Sequence, residues 1–283
     1  MFKMIFENAL GKIEMGGGTH EKMNVTAING FGNPAKECKT VSFSGQAGAV
    51  TTSVRELSRT MTVAGVFKGS AREVSDMYKI LSAAGVLKTD FNGDRKKISC
   101  RAVSTDGFER IKSSGMYKFA LQFQADIPYF SDWEKRSVSV FKRENQVTSP
   151  FTLPTVLTKR VNVKTEVFVD SEDIVYPTIV IKNYSGAATG DSFGFKILNE
   201  DTGKQIEILY AVQAGETVTA DLGKRRITAS IGGSVTNCIS SDTVLSDFYL
   251  KPGKNRITVL NYDNSLSIAA YLMYDNAYRT AVY

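Results

Sequence analysis

The chain has 283 residues with 35 Lys and Arg against 29 Asp and Glu, and hydrophobic residues make up 42% of it. This length suffices for two domains, and a chain of this size buries a core that needs no disulfide or metal to hold it. The composition is that of an ordinary globular protein, which excludes a membrane protein, a coiled coil and a disulfide scaffold.

Charge is distributed unevenly along the chain. Residues 1–150 hold 22 Lys and Arg and 15 Asp and Glu, a net charge of +7, whereas residues 151–283 hold 13 and 14, a net charge of −1. Two domains with separate partners explain this asymmetry most simply. A contact of the first half with nucleic acid or another anionic surface is the alternative interpretation.

The N-terminal segment predicts a protein that is made in the cytoplasm and is not inserted into a membrane. Glu7 interrupts the first apolar stretch before a signal-peptide core can form. The longest uncharged window, residues 227–241, is too short and too polar to span a bilayer. The three cysteines, Cys38, Cys100 and Cys238, are too scattered for a disulfide framework or a zinc site, and we expect buried free thiols.

The first half of the chain alternates apolar and polar residues with a period of two, which is typical of strands with one buried face. The segments with this pattern are 23–28, 60–64, 97–103 and 117–124. Turn signals such as Asn29-Gly30 and Asn92-Gly93 separate them.

One segment of the first half, residues 70–84, predicts a helix. Ser70 and Glu73 have the spacing of a capping box, in which each side chain binds a backbone N–H of the first turn. An amphipathic stripe follows at Val74, Met77, Tyr78 and Leu81. Gly85 stands where a left-handed C-terminal cap is expected.

The second half contains only strand patterns. Pro150 and Pro154 flank a stretch with few large apolar residues, so we predict a linker over 145–154 and two domains, 1–150 and 151–283. The eight predicted strands of the second domain are 164–169, 178–184, 193–198, 205–210, 217–222, 226–230, 256–260 and 267–273. The fold class is therefore mainly β, with a β-rich N-terminal domain that carries one helix and a C-terminal β-sandwich.

Residues for chemistry are scarce. A Ser–His–acid or Cys–His arrangement would depend on His20, the one histidine, which lies in a glycine-rich loop, so we expect it to be exposed and inactive. Asp90–Asp94 resembles the start of an EF-hand loop, but Arg95 and Arg101 stand where Gly and Glu are needed, so a β-turn is predicted instead. The sequence predicts no catalytic, cofactor-binding or metal-binding residue, and therefore a structural or binding protein and not an enzyme.

Two basic runs, Arg95–Lys97 and Lys224–Arg226, border strands. Charges on an edge strand prevent unwanted pairing between sheets, so we expect these side chains to be solvated. Phosphate binding is the alternative.

The order of elements resembles the distal tail protein (Dit) family of long-tailed bacteriophages and phage-tail-like particles. The segments that carry the resemblance are Phe43–Gly48, Arg59–Gly65, the helix Ser70–Ala84, Leu121–Phe130, Val175–Ile181 and Asp247–Val259. The chain departs from the family pattern at Ser44-Gly45 and Ala47-Gly48, and at Ile127, which separates Asp126 from Pro128. It also has no room for an inserted carbohydrate-binding module.

The resemblance implies a homohexameric ring at the distal end of the virion tail. Residues 1–150 would form the ring around the DNA channel, with DNA only as passing cargo, and self-association would reside in this half. Residues 151–283 would form a galectin-like sandwich that carries tail-fibre or receptor-binding proteins. The remaining expected partner is the tail tube protein, no membrane is involved, and synthesis would take place in the cytoplasm of the host bacterium.

Two alternatives remain at this point. A galectin-like sandwich that binds host cell-wall glycans would need an exposed aromatic platform, and the candidates are Tyr184, Tyr210 and Tyr249, since Trp133 lies in the first domain. A tail-tube-like structural protein is the other alternative, although the added sandwich favours an adaptor that forms a single ring.

Overall fold

The computed structural model describes residues 2–18, 21–45, 47–103, 107–112, 114–142, 162–184, 188, 194–261 and 268–281. The chain divides into two compact units. The barrel unit comprises Met1–Trp133 and Ala277–Tyr283, and the sandwich unit comprises Glu134–Asn276.

The barrel unit contains a nine-stranded sheet in the order β11-β8-β7-β1-β2-β3-β6-β10-β9, which closes because β8 also pairs with β10. A separate two-stranded hairpin is formed by β4 and β5. The strands are β1 (Phe2–Asn8), β2 (Gly11–Gly16), β3 (Met23–Asn29), β4 (Lys36–Val41), β5 (Val50–Glu56), β6 (Arg59–Phe67), β7 (Gly85–Phe91), β8 (Asp94–Ala102), β9 (Phe108–Arg110), β10 (Tyr117–Ala125) and β11 (Ser131–Asp132).

Alternation of buried and exposed residues along these strands produces the barrel core. In β10 every second side chain is buried, and β1, β6 and β8 follow the same rule. The largest fully buried side chains of this core are Met4, Phe6, Met15, Met61, Leu87, Leu121, Phe123 and Phe130. Ring contacts such as Phe6 with Phe123, 5.1 Å between centroids, fill its centre.

The predicted helix is present as α1 (Ala71–Leu81). The Glu73 N–H donates to Ser70 Oγ (3.3 Å) and the Ser70 N–H to Glu73 Oε2 (2.8 Å), so the capping box forms as predicted. The helix ends three residues before the predicted end, with Ser82 as its C-cap. Gly85 is not the cap; it begins β7, where a Cβ atom would stand 2.5 Å from the Glu7 carbonyl oxygen, so close strand approach requires the glycine.

We expect Leu81→Ala to lower the free energy of unfolding of the barrel unit by about 2–5 kcal/mol, because it leaves a cavity under the helix. Leu81 is buried with Val74 and Met77, and all three belong to the barrel core. The measurement is a urea titration followed by the fluorescence of Trp133, the one tryptophan of the chain. Lys79→Ala, on the exposed side of the same helix, is the matched control, and equal midpoints for the two variants would contradict the prediction.

The sandwich unit is built from a six-stranded sheet, β12-β21-β14-β17-β18-β19, and a four-stranded sheet, β13-β20-β15-β16. One continuous core takes side chains from both sheets. The strands are β12 (Arg136–Lys142), β13 (Asn162–Val169), β14 (Thr178–Asn183), β15 (Phe195–Asn199), β16 (Lys204–Ile208), β17 (Thr217–Asp221), β18 (Arg226–Ala229), β19 (Gly233–Ser234), β20 (Gly253–Asn261) and β21 (Ile268–Tyr274). All eight predicted strands are present, and β12 and β19 are additional.

The division between the units differs from the predicted domains 1–150 and 151–283. The strand β12 precedes residue 150 but pairs with β21, so it belongs to the sandwich unit. The last residues, Ala277–Tyr283, return to the barrel unit. The predicted boundary rested on local composition, which indicates a loop. Local composition carries no information on which distant strands pair, and this pairing decides the boundary between the units. The predicted linker itself, over 145–154, lies outside the described residues.

Candidate assembly surface

The hairpin of β4 and β5 is the most exposed element of the barrel unit. Every residue of the two strands is exposed except Glu56, and within the described residues no third strand pairs with either edge. An isolated two-stranded hairpin is at best marginally stable in water. A hairpin that is uncovered on both faces is therefore a candidate for contact with another chain.

The end of this hairpin is apolar. Val41 faces Val50 across the two strands, and Phe43 follows in the connecting segment. The exposed fractions of Val50 and Phe43 are both 56%, and that of Val54 is 58%. Apolar side chains that are clustered and exposed in this way mark interaction surfaces. We call Val41, Phe43 and Val50 the hairpin tip.

The base of the hairpin is fixed by ion pairs. Glu56 Oε1 lies 2.8 Å from Arg279 Nε and 3.8 Å from Lys36 Nζ. Burial by itself would raise the pKa of Glu56, but hydrogen bonds from Arg279 and Tyr129 and the charge of Lys36 bring it below its ordinary value. The carboxylate therefore stays ionised at neutral pH and holds the hairpin to the C-terminal segment.

Arg59 anchors the same region from inside the barrel unit. Arg59 as a whole is 3% exposed. Its guanidinium donates to the carbonyl oxygens of Pro128 (2.8 Å), Gly30 (2.8 Å), Gly32 (2.6 Å) and Arg279 (2.5 Å). Burial lowers the pKa of Arg59 to about 10, so the group remains protonated at neutral pH. One side chain thus joins three backbone segments, residues 30–32, Pro128 and Arg279, at the base of the hairpin.

The C-terminal segment is tied to the barrel unit by further contacts. Phe130 and Tyr278 exchange two backbone hydrogen bonds of 2.8 Å, and the Ala281 N–H donates to the Phe31 carbonyl (3.0 Å). Lys96 is 3% exposed and donates to the Thr280 carbonyl (3.1 Å). The last residues therefore complete the barrel unit after the chain has passed through the sandwich unit.

Two sequence predictions about charged residues have different outcomes. Asp90–Asp94 forms a turn between β7 and β8, in which Asp90 accepts from the Gly93 N–H (2.8 Å) and binds Arg95 (2.9 Å). The basic run at Lys224–Arg226 is exposed as predicted, but β18, which begins at Arg226, lies between β17 and β19 and is not an edge strand. The run Arg95–Lys97 is not a solvated edge, because β8 lies between neighbours and Lys96 is buried against Asp94 (2.9 Å).

The predicted free thiols lie in three environments. Cys100 is buried in the barrel core, and burial raises the pKa of its thiol to about 12. Cys238 is half-buried. Cys38 is exposed on the hairpin, so the prediction that its thiol is buried is wrong. Alternation predicts burial of every second side chain, but both faces of this hairpin are open.

The other candidates from the sequence concern catalysis, metal binding and membrane insertion. His20 lies outside the described residues. In the described part of the chain there is no cluster of three or more His, Cys, Asp or Glu side chains that could hold a metal ion. No described helix has the length and apolarity to cross a membrane.

The aromatic residues considered for a sugar platform are dispersed. Tyr210 packs against the sandwich core and donates to Glu216 Oε1 (3.2 Å), so its hydroxyl has a structural partner. Tyr184 is exposed, with its hydroxyl 3.4 Å from that of Tyr271. Tyr249 is half-buried. Trp133 belongs to the barrel unit, where its Nε1 donates to the carbonyls of Thr89 and Lys96.

Sequence reasoning did not single out the hairpin or Arg59. A signal for the hairpin was present, because Val41, Phe43 and Val50 flank a tip rich in Ser, Gly and Ala, which suits an exposed turn more than a core strand. No local signal marks Arg59, since its partners come from distant parts of the chain.

Comparison with known proteins places the second half in a family. Residues 175–278 match the model of the siphovirus-type tail component, C-terminal domain. The match confirms the resemblance to the distal tail proteins. Among curated proteins, none matches the sequence.

Solved structures share the fold of this chain over almost its whole length. One is the Dit protein of phage SPP1, described as a paradigm of the hub adsorption apparatus in phages that infect Gram-positive bacteria: the TM-score is 0.66 at 13% identity, over 98% of this chain and 99% of that one. A chain of the phage P2 baseplate, in its activated conformation with Ca, gives 0.53 at 10% identity over 99% of both chains. The likeness shows a common fold of both units.

Proposed function

We propose that this chain is the hub subunit of a phage tail tip, a structural protein and not an enzyme. Six copies, the number that the family resemblance implies, form a homohexameric ring that joins the tail tube protein to tail-fibre or receptor-binding proteins. DNA passes through the ring as cargo. The observation that carries the proposal is the hairpin of β4 and β5, which is exposed on both faces and apolar at its end.

The barrel explains why the hairpin is the ring-forming element. Pairing of β8 with β10 closes the barrel, so its long strands have neighbours on both sides. Within the described residues, open edges remain on the short strands β9 and β11, on the hairpin, and between β2 and β3, which pair only at Gly16 and Asn24. A hairpin that docks on a different surface of the next copy makes a heterologous contact, and such a contact closes into a ring when the rotation allows.

The sandwich unit is proposed to be galectin-like and to carry the host-adhesion components. Its core is self-contained, and its exposed apolar residues, among them Phe168, Ile174, Tyr184 and Ile231, offer surface for protein partners. The match of residues 175–278 to a tail component domain supports this role. The ring therefore belongs to the barrel unit and the adhesion contacts to the sandwich unit.

Shortening the hairpin tests the proposal. Lys39 and Ser53 face each other across the hairpin, so replacing residues 40–52 with Asn-Gly closes a two-residue turn and removes the tip. We expect the natural protein to have six times the 31.0 kDa mass of one chain in light scattering, and the shortened variant to have the mass of one.

Two controls make this result specific. Trp133 fluorescence and urea midpoint should be unchanged in the shortened variant, since the base of the hairpin is kept. Phe168→Ser removes an equally exposed apolar side chain, 67% exposed in the sandwich unit, and should leave the ring intact. A ring that survives loss of residues 40–52, or a natural protein that stays a monomer, would overturn the proposal.

A further inference from the structure

A groove lies beside the helix in the barrel unit. It has a volume of about 490 Å³ and lies between α1 and the strands β2, β3 and β6. Its floor is apolar and comes from Ile13, Met23, Phe67, Met77 and Ile80. Methionine side chains adapt to the shape of an incoming group, and Met23 and Met77 give this floor that property.

The rim of the groove is charged, and most of its charges are neutralised locally. Glu14 binds Lys12 (2.7 Å) and Lys3 (3.0 Å), and Glu73 binds Lys22 (2.9 Å). Asp76 binds Lys79 in the same helix (2.9 Å). Glu21 has no ion pair within the described residues, so the rim presents one carboxylate without a cation.

The hairpin has the complementary features. On one face, Glu37 and Arg55 form an ion pair at the base (3.3 Å), and Lys39 and then Val41 follow toward the tip. Lys39 has no ion pair in the described part of the chain. The hairpin therefore presents one uncompensated cation, and two residues farther along it begins the apolar tip.

We propose that the tip of one copy docks in the groove of the next copy, with Phe43 over the apolar floor and Lys39 opposite Glu21. This inference rests on the proposed ring and assigns its two contact surfaces. The hairpin tip and the groove are two different surfaces of the barrel unit, and a heterologous contact requires two different surfaces. An aromatic anchor in an apolar pocket with a charged rim is the usual form of a strong contact.

Photocrosslinking tests the contact directly. A benzophenone amino acid in place of Phe43 should link to a second copy of the chain, within residues 73–80 or 12–23. The same group in place of Phe168 is the matched control and should give no such link. Links to other parts of a second copy, or to a different tail protein, would overturn the assignment.

Charge exchange provides an independent test. Lys39→Glu and Glu21→Lys should each raise the protein concentration needed for half assembly by about tenfold, because each places like charges opposite each other. The double variant should return close to the natural value. If the natural protein forms a ring but the double variant does not recover, the docking site is contradicted and the proposed ring stands. If the natural protein forms no ring, both proposals are contradicted.

Discussion

Arg59→Met is expected to lower the free energy of unfolding of the barrel unit by about 3–5 kcal/mol. Methionine fills the space of the side-chain stem but donates no hydrogen bond. The carbonyl of Pro128 would lose a charged donor in a buried place, and those of Gly30, Gly32 and Arg279 would lose one in partly buried places. Leaving such groups unpaired costs more than the bonds contribute when they are made.

A urea titration followed by Trp133 fluorescence measures this loss, because Trp133 lies in the barrel unit. Arg55→Met is the matched control, since Arg55 lies on the exposed hairpin and pairs only at the surface with Glu37. We expect the control to change stability by less than about 0.5 kcal/mol. Similar midpoints for Arg59→Met and Arg55→Met would show that the buried guanidinium is not the anchor described above.

Glu216→Ala is expected to have the largest effect in the sandwich unit, a loss of about 3 kcal/mol. Glu216 is fully buried, and its carboxylate accepts from the N–H groups of Gln213 (2.8 Å), Ile231 (3.0 Å) and Gly232 (3.0 Å) and from the Tyr210 hydroxyl (3.2 Å). Alanine leaves three backbone N–H donors, whose bonds to Glu216 are partly buried, without that acceptor. Tyr210→Phe removes one of the four bonds and should cost about 1 kcal/mol.

The same carboxylate gives the sandwich unit a pH dependence of known sign. Burial alone would raise the pKa of Glu216, but the hydrogen bonds from Gln213, Gly232, Ile231 and Tyr210 outweigh it and bring the pKa below the ordinary 4.5. A group whose pKa is lower in the folded state adds stability above its unfolded pKa and loses it as the pH falls through the folded pKa.

The stability difference between the natural protein and Glu216→Gln should therefore be constant from pH 7 to about pH 5 and shrink below about pH 4.5. Hydrogen exchange of the β17 amides measures this stability difference. Trp133 fluorescence is unsuitable because Trp133 lies in the barrel unit. A difference that stays constant down to pH 3 would show that folding does not lower the pKa of the Glu216 carboxyl group.

Local patterns predicted most of the secondary structure. The capping box at Ser70 and Glu73 positioned the helix, and alternation found all eight of the predicted sandwich strands, because these signals act between residues close in sequence. The end of the helix was misplaced, since Gly85 is required by the approach of β1 to β7 and not by a cap. Barrel closure, the unit boundary and the partners of Arg59 depend on distant contacts, which a single sequence does not display.

The candidate surface was harder to predict than the fold. A few apolar residues among polar ones, such as Cys38, Val41 and Val54, look the same in the sequence whether a strand covers a core or stands in solvent. The sequence contains the apolar residues, but their exposure follows from a hairpin that has no third strand beside it. The groove has the same origin, because its floor combines residues from one helix and three strands.

The bridge between Phe130 and Tyr278 makes the sandwich unit an insertion whose two ends are held side by side. A domain whose first and last residues lie close together can be replaced by a domain of different length. The strands of the domain into which it is inserted keep their positions. Changes in the length or sequence of the sandwich unit therefore leave the strand pairing of the barrel unit in place.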